Sequence, residues 1–180
     1  MHRQPLLSLL DKHQPTDEQE RRMRDQTIEF VTQHPDCFER HLAIGHVTGS
    51  AWVVSPDRQR VVLIHHAKLD RWLQPGGHAD GDPDLLRVAL REAQEETGLS
   101  SLQAVGPDIF DVDIHRIPAR GTEPEHLHYD IRFLLEAPPD QPFRQTRETK
   151  AIRWVDCDRI AELTTEKSIL RMNFKKKDKN

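Results

Sequence analysis

The apolar positions change rhythm near residue 41. Before that point the spacing is helical: Leu6, Leu7, Leu9 and Leu10 make a short apolar stripe that Pro15 stops. Thr16, with Gln19 three residues on, has the form of a helix cap. A charged helix carrying Met23, Ile28, Phe30 and Val31 then runs to Gln33, before Pro35. After residue 41 the texture is β-branched. Segments 44–54 and 60–66 flank Pro56-Asp57-Arg58, a turn signal, and together predict an antiparallel hairpin. Residues 72–77 read as a loop. Segment 84–97 is the strongest helix, with Asp82 as cap, Pro83 in the first turn and Gly98 at a left-handed C-terminus. Segments 102–117 and 127–135 read as strands, 138–149 as a polar loop, 151–155 as a short strand and 156–163 as a short helix. The tail from Phe174 reads as frayed and solvated.

Helices mix with antiparallel strands without strict alternation, so the fold class is α+β, or a mixed α/β sandwich. A helical extension is expected over 1–40, the main domain over 41–165, and a C-terminal helix with a basic tail over 166–180.

Composition narrows the function. The net charge is −4, so no global basic field draws the chain to nucleic acid or an anionic membrane. No apolar run approaches the roughly 20 residues of a membrane span. The four N-terminal leucines are too few for a secretory segment. Cys37 and Cys157 have no metal-type spacing and read as free thiols of a cytoplasmic protein. Eleven histidines are many for an acidic chain of 180 residues.

The chemistry concentrates in Arg91-Glu92-Ala93-Gln94-Glu95-Glu96-Thr97-Gly98-Leu99. Glu92, Glu95 and Glu96 are three and four residues apart and share a helix face, where they repel one another. They also sit near the helix C-terminus, against its dipole. A divalent cation removes both penalties, and hard oxygen ligands suit Mg²⁺ or Mn²⁺. Pro75-Gly76-Gly77 allows close backbone approach, and a loop carbonyl there can join such a site.

Gly77, followed fourteen residues later by Arg91 to Leu99, resembles the Nudix box, G-x5-E-x7-R-E-U-x-E-E-x-G-U with U aliphatic. The resemblance implies a Nudix-type α/β/α sandwich with a mixed sheet over roughly 41–165. It implies Mg²⁺-dependent hydrolysis of a nucleoside diphosphate linked to another moiety, a small-molecule nucleotide-type substrate. Glu92, Glu95 and Glu96 would be metal ligands with Gly77 giving a backbone carbonyl. One of the glutamates would serve as base, and Arg91 would orient them by ion pairing. One position departs: Pro83 stands where the box has Glu. Either a neighbouring acid (Asp80, Asp82 or Asp84) takes over, or the chain is a nucleotide-binding module with little turnover.

Weaker signals surround the box. His126, His128 and Asp130 alternate on a strand and share one face, with Leu127, Tyr129, Ile131 and Phe133 on the other. The first three read either as a polar wall of the substrate pocket or as an exposed strand face. His78, beside Gly77, is a substrate-binding candidate. Trp72 reads either as a base-stacking residue or as a structural wedge. His65, His66, Lys68 and Arg71 read as an anion-binding rim or as a hydrophilic loop. Glu148 is an alternative base outside the box. The N-terminal helices either cover the pocket or build a homodimer.

Overall fold

The computed structural model describes residues 2–146 and 149–178. Two helices open the chain, α1 (Gln4–Lys12) and α2 (Glu18–Gln33). The strands β1 (Gly45–Val54), β2 (Arg60–His66), β3 (Arg71–Leu73) and β4 (Gly76–His78) lead into α3 (Leu85–Thr97). Then come β5 (Gln103–Ala104), β6 (Asp111–Ile117), β7 (His126–Glu136), β8 (Thr149–Asp156), α4 (Ile160–Leu163) and α5 (Lys167–Asp178).

The strands form one mixed sheet centred on β1. β1 pairs with β7 in parallel along its whole length, Gly45 opposite Leu127 through Val54 opposite Glu136. Its other edge is shared: β2 closes the hairpin at Val54–Val61, and β4 pairs at Thr48–His78, Gly49–Gly77 and Ser50–Gly76. A strand bordered on both edges and covered on both faces is buried throughout, and all ten residues of β1 are.

Side-chain alternation divides the apolar residues into two cores. Val47, Ala51, Val53, Ile131, Phe133 and Leu135 face α3, whose Leu85, Val88, Ala89 and Ala93 make the inner stripe. Leu6, Leu10, Phe30 and Val31 of the first two helices join this same core. Trp52, Val54, Val61, Leu63 and Leu134 face the opposite way, where Ile160, Ile169 and Met172 of α4 and α5 cover them. Helices on both faces of a mixed sheet give the α/β/α sandwich.

Several local expectations are corrected. Residues 72–77 contain β3 and β4, because main-chain pairing with β2 and β1 is available despite the glycines. The expected strand over 102–117 is two strands; between them Val105 and Phe110 bond singly to β7. The cap of α2 is Asp17, which accepts from the Glu20 amide at 2.7 Å, while Glu20 reaches back to Thr16. The cap of α3 is Asp84, not Asp82, so Pro83 lies just outside the helix. Residues 174–178 of the expected tail belong to α5, and Lys175 is buried on Glu20 and Asp111.

Candidate active site

The box is assembled where α3 meets β4. A Cβ added to Gly77 would stand 2.3 Å from Glu92 Oε2, so the absence of a side chain lets the carboxylate lie against the loop backbone. Arg91 bridges the two elements: its Nη2 donates to the His78 carbonyl at 2.8 Å and to Glu92 Oε1 at 2.8 Å. Glu96 is buried, and its Oε2 accepts from the Gly76 amide at 2.9 Å. Glu95 is exposed and accepts no hydrogen bond from a described residue. Burial pushes the Glu92 carboxyl up; the Arg91 guanidinium opposes this, and the charges of Glu95 and Asp80 add to it. Gly98 closes the helix at φ 75°, its amide donating to the Gln94 carbonyl at 2.8 Å.

Each acid around Pro83 has a partner. Arg40 holds Asp80 through two bonds of 2.6 and 2.5 Å. Arg87 holds Asp82 at 2.8 and 2.6 Å. Asp84 caps α3 through the Arg87 amide. The charge of Asp80 helps to raise the Glu92 carboxyl.

The second face of the sheet is polar where α4 and α5 do not cover it. Alternation brings His46, Thr48 and Ser50 of β1 beside His128, Asp130 and Arg132 of β7, with Asp111, Asp113 and His115 of β6 next to them. The expected division of β7 therefore holds: Tyr129, on the opposite side, stacks on Phe30 of α2 at 3.9 Å between ring centres. Asp130 is 1% exposed. Its oxygens accept from Thr48 (2.9 Å), Ser50 (2.7 Å), Gln74 (3.2 Å) and Arg132 (2.7 Å), so it organises the wall from behind.

Behind it lies an ionic network that the sequence did not suggest. Arg132 also reaches Asp111 and Asp113, both at 3.1 Å. Arg171 and Lys175 of α5 meet Asp111 at 2.8 and 2.6 Å. Burial opposes the charge of Arg132, but Asp113, Asp130 and Asp111 outweigh it and hold the guanidinium firmly protonated.

At the far end of the face the imidazoles gather. His46 lies 4.7 Å from His128, 5.0 Å from His78 and 5.0 Å from His126, ring centre to ring centre. His128 and His115 are 5.4 Å apart. Burial, reinforced by the neighbouring His78, pushes the His46 pKa down to about 4. Burial and the surrounding rings push His128 down to about 2. Both are neutral at physiological pH. His46 and His115 escaped the sequence reading because only the pairing of β1, β6 and β7 brings them to His128.

Trp72 stacks on His65 at 5.0 Å, and the Arg153 guanidinium lies 5.2 Å from its ring centre. Arg71 pairs with Glu166 at 2.9 Å, and His66 Nδ1 accepts from the amides of Lys68 and Leu69. Glu148 lies outside the described residues.

Comparison with known proteins agrees with this fold. A family model described as NUDIX domain matches residues 45–173. The rat bis(5'-nucleosyl)-tetraphosphatase (asymmetrical) is 32% identical over 100 residues, 56% of this chain and 62% of that protein. A probable DHNTP pyrophosphohydrolase of Lactococcus lactis is 35% identical over 92 residues, 50% of this chain and 53% of that one. The chain thus spans between half and two thirds of the length of these curated relatives. A solved C. elegans Ap4A hydrolase binary complex superposes with TM-score 0.59 at 14% identity, over 73% of this chain and 95% of that one, a likeness of fold.

Proposed function

The chain belongs to the NUDIX domain family, and from that premise we propose that it hydrolyses the pyrophosphate bond of a nucleoside diphosphate linked to a second moiety, with Mg²⁺ or Mn²⁺. The observation that carries this reading is the docking of the carboxylate cluster on the glycine loop: Glu92 against Gly77 and Glu96 on the Gly76 amide. The donor set fits a hard divalent cation, because three carboxylates and a loop carbonyl are oxygen ligands and burial has left Glu92 short of compensating charge.

Glu92, Glu95, Glu96 and the Gly77 carbonyl would hold the cation. When bound, it supplies neutralisation of the phosphate oxygens and a more acidic water. The protein does the rest. Arg91 fixes Glu92 and ties α3 to β4 through the His78 carbonyl. Glu95, the exposed member of the cluster, accepts the proton of the water that attacks phosphorus. The P–O bond to the leaving phosphate breaks, and two phosphate-bearing products depart. His78, His126 and His128, on the side of β4 turned away from Gly77, would meet the part of the substrate remote from the cation, with Asp130 anchoring that wall and Trp72, stacked on His65, at its edge.

A second reading has its own observation. Pro83 replaces the box glutamate, and Asp80, Asp82 and Asp84 are each committed to an arginine or a cap. A site so altered would bind nucleotide and turn it over little.

One panel separates the two. The names of the relatives point to dinucleoside tetraphosphates and pterin triphosphates; ADP-ribose and a nucleotide sugar complete the set. Each is incubated with Mg²⁺, with Mn²⁺ and with chelator, and products are resolved chromatographically. Hydrolysis predicts product from at least one substrate, abolished by chelation. Metal-dependent binding by calorimetry with no product over hours would establish the second reading instead.

A further inference from the structure

The histidine cluster is built more tightly than a polar wall requires. His46, His78 and His128 come from three strands, β1, β4 and β7, and each offers a ring nitrogen within 4.8 Å of the others. The sheet register imposes this: His46 is opposite His128, and His78 is opposite Thr48, two residues along β1. His46 is 3% exposed, and neither of its ring nitrogens has a hydrogen-bond partner. A buried polar group left in that state is costly. Neutral His46 has one N–H and one lone pair, and a cation held among the surrounding imidazoles would occupy that lone pair.

His126 adds a second indication. Its Nδ1 lies 2.9 Å from the Pro124 carbonyl, so the proton belongs on Nδ1, and the Nε2 lone pair is turned toward His128, from whose Nε2 it accepts a hydrogen bond that a shared cation would replace. That Nε2 stands 3.3 Å from His128 Nε2. Two nitrogens each bound to one tetrahedral cation at zinc distances are separated by about 3.3–3.4 Å. A backbone carbonyl fixing the remote nitrogen is also the usual way a ligating histidine is oriented.

We propose that His46, His78 and His128 form a binding site for a transition-metal cation of the Zn²⁺ class, with His126 as a fourth donor at its rim. Imidazole donors with no carboxylate among them select Zn²⁺ and its neighbours over Mg²⁺. The site is separate from the glutamate cluster. Along β4, Gly77 faces Glu92 of α3, and alternation turns His78 to the other side of the sheet. The glutamates are thus suited to a hard cation and the histidines to a softer one, with the thickness of one strand between them.

The test uses the full chain, stripped with chelator and reloaded with Co²⁺ or Zn²⁺. With the glutamates filled by excess Mg²⁺, the site predicts one Co²⁺ per chain with the visible d–d bands of a tetrahedral nitrogen-ligated ion. It predicts one Zn²⁺ retained through gel filtration in the presence of excess Mg²⁺. His78→Ala and His128→Ala should each weaken zinc binding by about tenfold or more. Glu95→Gln should leave stoichiometry and spectrum unchanged. A wild-type protein with no d–d bands and no retained zinc overturns the proposal, whether or not the histidine variants fold. So does zinc that is lost in Glu95→Gln and kept in both histidine variants, which would place it on the glutamates.

Discussion

Gly76 and Gly77 are adjacent and serve different ends, which alanine substitution can separate. At Gly77 the added methyl meets the end of a side chain, Glu92 Oε2 at 2.3 Å, and the carboxylate can swing away. At Gly76 it meets Ser50, including Cα at 2.7 Å, and only the parting of β4 from β1 relieves that. Gly77→Ala should therefore cost activity, about tenfold to a hundredfold for a misplaced catalytic group, with little change in melting temperature. Gly76→Ala should cost about 1–3 kcal/mol of stability, read by urea unfolding. The glutamates, Arg91 and Gly77 were legible in the sequence because their chemistry is local, within one loop and one helix. Lys175 was not: in a run of lysines it reads as solvated, and only the docking of α5 against β6 and α2 buries it.

Helix α3 sets the angle at which the carboxylates approach the loop, and its two ends are fixed by different means. Asp84 accepts from the Arg87 amide at 3.1 Å, so Asp84→Ala should cost about 1 kcal/mol. Gly98 has φ 75°, and a Cβ there would lie 2.6 Å from the Arg144 Cβ and 2.9 Å from its amide nitrogen. Gly98→Ala should thus be the more damaging of the two, by about 1–3 kcal/mol through strain and clash together. Thermal melts of both variants check the order. The hairpin, α3 and the two-residue period of β7 were readable because each pattern is complete within a dozen residues. The three-residue strands β3 and β4 were not: β3 is too short for a period to show, and β4 pairs with β1 more than twenty residues back while its Gly76-Gly77 after Pro75 resembles a loop.

Across the whole molecule, a buried charge network joins α2 and α5 to the sheet. Glu20 accepts from His13 at 2.7 Å and pairs with Lys175, which also reaches Asp111. Removing one partner of such a set strands the others, and Lys175→Met should cost about 3–5 kcal/mol. Burial alone would raise the carboxyls of Glu20 and Asp113, but the partners of each, His13 and Lys175 for the first and Arg132 for the second, hold them well below the ordinary range. The unfolded chain therefore takes up protons on these acids first. Their contribution is complete above about pH 4.5 and is lost as pH falls below it. His46 and His128, pushed down to about 4 and about 2, act earlier. They stay neutral in the fold while the unfolded chain protonates them, so stability begins to fall below about pH 6.5. Melts of the metal-free protein should decline in two stages on acidification, and Glu20→Gln should flatten the lower one.

The central claim is that the carboxylates of α3 drive hydrolysis, and steady-state product release at saturating Mg²⁺ tests it most directly. Wild type is compared with Glu95→Gln and Glu96→Gln on the best substrate of the panel, with circular dichroism confirming that both variants fold. Each variant is predicted to lose about a hundredfold or more in kcat. Unchanged kcat in both variants would contradict the account.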